Sequence, residues 1–241
     1  MRLLRKVFFL ILGTILTISC SYREVKKEGF VVSGKFLHAC GQMITLSELL
    51  VNAVHPIDSI VLDDNGQFLF SRKTNEAGFY LLNTSSGEKR LLLLEKDENV
   101  KISSNFSKKP IEFKVEGSPG TSLLEAFYQQ SNRNLARADS LSLILRKLQE
   151  TRDFYKVSNQ LDPLFDQIIK DQKRVEKEFI ELHSNSLASI IVLHHPFGMN
   201  EILNPDEDFP LYLKLDSTLM KLYPGNQHVL FLHQQVLEKS R

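Results

Sequence analysis

The pattern of apolar and polar positions changes once along the chain, from alternation to three-and-four spacing, and the change falls at Gly117-Ser118-Pro119-Gly120. Upstream, Phe30, Val32, Gly34 and Phe36 alternate with Val31, Ser33 and Lys35. That period of two puts one face of a strand against a core. Gly41-Gln42 offers a turn before a strand at residues 43–46, and residues 47–54 either extend that strand or cover one end of the sheet. Two runs rich in Ile, Val, Leu and Phe then flank Asp64-Asn65-Gly66. Asn-Gly predicts a type I′ hairpin there, because both central residues of that turn need positive φ. With a third strand at residues 79–82, the stretch 57–82 is expected to form the centre of the sheet. A turn at Ser85-Ser86-Gly87 and apolar runs at 91–94, 100–103 and 111–115 complete the set. About seven short strands without intervening helices predict an antiparallel sandwich.

Downstream, Ser122-Leu123-Leu124-Glu125 has capping-box spacing and predicts a helix start. Leu124, Phe127, Ser131, Ala138, Leu141, Leu145 and Leu148 give that helix a narrow stripe. Asp162-Pro163 reads as N-cap and first residue of a second helix, with a stripe of Phe165, Ile168, Val175, Phe179 and Leu182. Two such charged helices pack most easily as an antiparallel pair. Residues 186–194, ended by Pro196, and segments 209–223 and 227–239, parted by Pro224-Gly225, add three more helices. The predicted class is therefore α+β, an N-terminal antiparallel β-sandwich over residues 30–117 followed by a C-terminal α-helical bundle or connector over 118–241.

The first 19 residues change the picture of where the fold works. Arg2, Arg5 and Lys6 precede an apolar run at 7–18 and Ser19 precedes Cys20, the layout of an export signal. Twelve residues span roughly 18 Å as a helix, short of the ~30 Å hydrocarbon layer. Leu16-Thr17-Ile18-Ser19-Cys20 is similar to a bacterial lipobox, although its Leu sits one position early. On that reading Cys20 is the acylated first residue of the mature protein, palmitate being one of its chains, and residues 20–29 are a tether. An ordinary secretory signal with an incidental Cys is the other reading. No acidic run follows Cys20. Such a run resembles the surface-export signal of Bacteroidetes lipoproteins, so the expected location is the periplasm-facing side of a cell-envelope membrane, inner or outer. Without Arg2, Arg5 and Lys6, 27 basic side chains stand against 29 acidic ones, interspersed, which argues against a nucleic-acid partner.

With Cys20 lipidated, Cys40 is the remaining thiol, and its place beside Gly41 suits a small turn residue better than a nucleophile. His194-His195 points about 100° apart on a helix and has no third ligand at zinc spacing, so a C-terminal pair satisfying the last carbonyls is expected. Asp63-Asp64-Asn65-Gly66 lacks the alternating ligands and closing Glu of a calcium loop. Asp206, Glu207 and Asp208 precede a helix, where they favour the macrodipole. GxSxG, P-loop and dinucleotide fingerprints are absent from the sequence. No catalytic residue, cofactor or metal ligand is expected, and the one functional position assigned is Cys20, for lipid attachment.

Taken in order, Phe30-Val-Val-Ser-Gly34, Ile57-Asp-Ser59, Asn65-Gly66-Gln-Phe68, Gly78-Phe-Tyr80, Glu98-Asn-Val-Lys-Ile102 and Val115-Glu-Gly-Ser118 resemble the Bacteroidetes lipoprotein module called domain of unknown function 4369. Ser186-Leu-Ala-Ser189 and Tyr223-Pro-Gly-Asn226 are similar to the helical connector that follows it. The resemblance implies a position ahead of a thioredoxin-like domain with a Trp-Cys-x-x-Cys motif. This sequence has no Trp and no CxxC, so the redox chemistry passes to no residue here. Two readings follow. One is a non-catalytic, lipid-anchored binding or scaffolding module whose partner is an envelope protein, a glycan or a separate redox domain. The other is the front part of a split or truncated thiol-disulfide oxidoreductase working with a separate thioredoxin-like partner.

Overall fold

The computed structural model describes residues 28–241. Eight strands fill its first half: β1 (Phe30–Leu37), β2 (Met43–Leu49), β3 (Val54–Val61), β4 (Gln67–Arg72), β5 (Gly78–Thr84), β6 (Lys89–Leu94), β7 (Asn99–Asn105) and β8 (Phe113–Glu116). They form two four-stranded sheets, β4-β1-β7-β8 and β3-β2-β5-β6. The alternation explains the layering: Phe30, Val32 and Phe36 of β1 face Ile44, Leu46, Tyr80, Leu82, Leu92 and Leu94 of the second sheet. Phe30 meets Tyr80 edge-on at 4.7 Å, which ties the two sheets together. The sandwich and the α+β class are as predicted.

Two details of the sandwich differ from the sequence reading. The runs on either side of Asp64-Asn65-Gly66 are not a hairpin, since β3 and β4 belong to different sheets. Asp63 captures the turn instead, its Oδ1 accepting from the N–H groups of Asn65 and Gly66 at 3.0 and 3.1 Å. Gly66 has positive φ and Asn65 does not, so the turn is not type I′. A Cβ on Gly66 would lie 2.1 Å from the Phe36 carbonyl oxygen, which fixes glycine at this corner. The second difference is one parallel pair, β1 with β7, among antiparallel neighbours. Here the other sheet, rather than a helix, makes the crossover.

Helices follow: α1 (Pro119–Leu148), α2 (Phe154–Leu182), α3 (Ala188–Leu193), then the short ladder β9 (Pro196–Phe197) and β10 (Asn200–Glu201), α4 (Phe209–Leu222) and α5 (Gln227–Lys239). α1 and α2 are antiparallel, since Phe127 meets Phe179 while Asn134 meets Gln172. The helices cover the outer face of the second sheet, where Phe79 and Leu93 join Leu124, Phe127, Ile180 and Leu187 in one core. β5 and β6 are thereby buried on both faces, which accounts for the unbroken Leu91-Leu92-Leu93-Leu94 run.

α1 starts earlier than the capping box implied. Its N-cap is Ser118, with Pro119 as first residue, because the free edge of β6 needs partners there. Ser118 Oγ donates to the Leu93 carbonyl at 2.7 Å, and Leu93 N–H donates to Thr121 Oγ1 at 3.0 Å. Ser122 lies inside the helix and donates to the Ser118 carbonyl, while Glu125 pairs with Arg90. α2 likewise runs through Pro163 rather than beginning at it. Pro163 and Asn159 are both exposed, so the carbonyl left without an N–H donor meets solvent. No helix among the described residues is long and apolar enough to cross a membrane.

Candidate functional site

Cys20 and the proposed leader lie outside the described residues. Cys40 is exposed at the end of β1 and donates its S–H to Asp64 Oδ1 at 3.1 Å. The hydrogen bond to Asp64 and its charge push the thiol up from its ordinary range, opposite to what a nucleophile needs. Asp64→Asn is therefore expected to speed alkylation of Cys40 by iodoacetamide at pH 8 severalfold. An unchanged rate would show that Asp64 does not restrain the thiol.

His194 and His195 diverge, and neither caps the carbonyls as expected. Backbone N–H groups do that, His194 to the Ile190 carbonyl and His195 to that of Val192. The His194 ring packs against Tyr212, and His195 lies edge-on to Phe127 at 4.9 Å with Nε2 3.0 Å from Ser131 Oγ. Burial holds both imidazoles below their usual range. From Ser131 a buried polar chain continues. Gln172 Nε2 donates to Ser131 Oγ at 3.2 Å and to Glu176 Oε1 at 2.9 Å, and Asn134 Nδ2 donates to Gln172 Oε1 at 3.0 Å. Glu176 is fully buried, its Oε2 has no hydrogen-bond partner, and desolvation pushes its pKa up to about 7.

A serine hydroxyl 3.0 Å from an imidazole has the spacing of a nucleophile and its base. Yet Ser131 is buried, and neither it nor His195 lines any of the grooves described below, so the pair reads as core polarity. The sequence stripe missed this chain because α2 buries Ile168, Gln172, Glu176 and Ile180, while Leu182 is 76 % exposed. Its signal was two polar residues at four-residue spacing between two isoleucines. Among the described residues, no three His, Cys, Asp or Glu side chains converge to hold a metal ion.

The acidic triplet does not serve the macrodipole alone. Asp208 stands at the N-cap of α4 without capping it, and its buried carboxylate takes Lys173 at 3.1 Å and Lys177 at 2.7 Å. Burial opposes ionisation there, but these two ammonium groups hold the Asp208 carboxyl below its usual range. Glu207 also pairs with Lys173, and Asp206 with Lys239, so the triplet bolts α4 to α2 and α5.

Two of the open concavities among the described residues are bordered by the sheets. The first, about 360 Å³, lies in the seam where the β4–β5 loop meets the start of α5. Asn226 organises it: Oδ1 accepts from His228 N–H at 3.0 Å as N-cap, and Nδ2 donates to the Ala77 carbonyl at 2.8 Å. His228 Nε2 donates to the Leu49 carbonyl at 3.0 Å and its ring packs on Phe79. The second, about 1020 Å³, runs along β8 between the outer ends of β1 and β7 and the side of α1, with four lysines on its walls. The sequence reading identified neither, because each is assembled from segments far apart in the chain.

Residues 30–124 match the family model described as Domain of unknown function (DUF4369). The match runs past β8 to Leu124, taking in the helix start that closes β6. No curated protein matches the chain. Among solved structures, the chain is similar to a candidate cell adhesion protein from Bacteroides uniformis ATCC 8492, at 10% identity and a TM-score of 0.24. That likeness covers 37% of this chain and 50% of the other, and it carries no argument about function.

Proposed function

We propose that this chain, whose residues 30–124 match the DUF4369 family model, is a non-catalytic, lipid-anchored cell-envelope module that binds or scaffolds a partner. The observation that supports this reading is the distribution of its polar chemistry. In the His195–Ser131–Gln172–Glu176 chain all but the half-buried His195 are sealed in the core, whereas the large open groove along β8 offers a strand edge, lysines and an apolar floor. Such a surface suits contact with a macromolecule rather than turnover of a small substrate. The Asp64-bound thiol of Cys40 also weighs against thiol-disulfide exchange by this chain.

Anchoring is tested by growing cells with a labelled palmitate and fractionating membranes. Wild-type protein is expected to carry label and sediment with membranes, and Cys20→Ala to lose both. A Cys20→Ala protein still labelled and membrane-bound would end the anchoring account.

A further inference from the structure

We infer that the groove along β8 takes an extended segment of a partner protein, alternating acidic and apolar residues, as a fifth strand of the β4-β1-β7-β8 sheet. This deepens the binding-module reading and rests on it.

Among the described residues, β8 closes its sheet on one side only: Phe113–Glu116 pair with β7 and no other strand. The corresponding edge of β6 is stoppered by Ser118 and Thr121, and the edge strand β3 carries Pro56, which cannot donate to a ladder. β8 has neither device, and a concavity of about 1020 Å³ lies against it. Space beside an open strand edge is what strand addition requires, because main-chain hydrogen bonds supply the affinity and side-chain pockets the selectivity.

Charge sets the kind of strand. Lys35, Lys108, Lys109 and Lys114 face the groove against two carboxylates, Glu112 and Glu125. Glu125 is taken by Arg90. Lys109 and Lys114 hold Glu88 and Glu116 only through exposed pairs, which are weak, and Lys35 and Lys108 have no carboxylate partner among the described residues. The groove is therefore net positive. Between the lysines, Leu37 is 45% exposed and Phe113 half-buried. Successive side chains of a strand point to opposite faces, so one face can meet lysines while the other covers apolar surface. The same lysines repel the matching edge of a second copy. A flat bilayer meets a convex basic patch more readily than a groove, which favours a polypeptide as occupant.

The test uses the full-length chain in detergent and fluorescein-labelled ten-residue peptides read by anisotropy. A Glu-Val alternating peptide is expected to bind, its Lys-Val counterpart not. Lys108→Glu/Lys114→Glu should weaken binding at least tenfold, as should N-methylation of alternate peptide amides, which blocks a ladder without changing charge. Raising salt to ~500 mM should weaken it too, by screening. Absence of binding, equal binding of the Lys-Val peptide, or indifference to N-methylation would each overturn the inference. So would phosphatidylglycerol vesicles binding through Lys108 and Lys114 while the peptide does not. None of these outcomes alters the labelling of Cys20, so failure here and failure of the anchoring account are distinguishable.

Discussion

Glu176→Gln is expected to stabilise the protein above pH 7 by about 3 kcal/mol while leaving it nearly unchanged at pH 4.5. Desolvation raises the folded-state pKa of Glu176 from 4.5 to about 7, with Asp208 adding to the rise and Gln172 and Lys173 opposing it. The folded protein then holds a proton that the unfolded chain releases between those values. Stability from this group is fully present below about pH 4.5, falls as pH rises, and is lost above about 7. Each unit is worth about 1.4 kcal/mol. Gln reproduces the protonated carboxyl: its oxygen accepts from Gln172 and no charge has to be buried. Glu98, raised by burial to about 7, contributes a second slope of the same sign. Burial lowers His194, His195 and His228, so their contribution is instead fully present above about 6.5 and lost as pH falls from there through their lowered folded-state values. The comparison must therefore be between variant and wild type at each pH. Urea unfolding at pH 4.5 and pH 8 provides it, and an equal difference at both would refute the assignment.

Asn226→Ala should cost about 2–4 kcal/mol, more than a surface helix cap alone. The cap contributes about 1 kcal/mol, and an Ala77 carbonyl stranded in the seam adds about 1–3 kcal/mol. Asn226→Asp separates the two: it keeps an oxygen for His228 N–H but has no donor for Ala77, so an intermediate loss is expected. Because Phe79 and Leu93 belong to the core of the helices, the weakened protein should still unfold in one step. Coincident circular dichroism and fluorescence transitions would agree with that. An Asn226→Asp protein as stable as wild type would mean the seam bond contributes nothing.

Much of the fold was legible because it is local. Alternation at Phe30, Val32 and Phe36 marked β1, Pro196 marked the end of α3, and Pro224-Gly225 marked the break between α4 and α5. What misled was local signal overruled by distant partners. Asn65-Gly66 has hairpin chemistry, but the Asp63 carboxylate two residues earlier and the Phe36 carbonyl turned it into a corner between sheets. Ser122 and Glu125 have capping-box spacing, but Leu93 drew Ser118 and Thr121 into the capping role instead. The buried polar chain and both grooves were invisible for a plainer reason. Ser131, Gln172 and His195, like Lys35 and Phe113, become neighbours only after the chain has folded.

The parallel pairing of β1 with β7 has a consequence in time. β1 sits inside its sheet, yet one neighbour is β4 and the other β7, so Val31 has no partner on that side until Asn99 exists. At ~5–20 residues per second of synthesis, β1 waits several seconds with that edge unpaired. A fold whose first strand is also a central one gains from being held unfolded during that interval, as a chaperone would do.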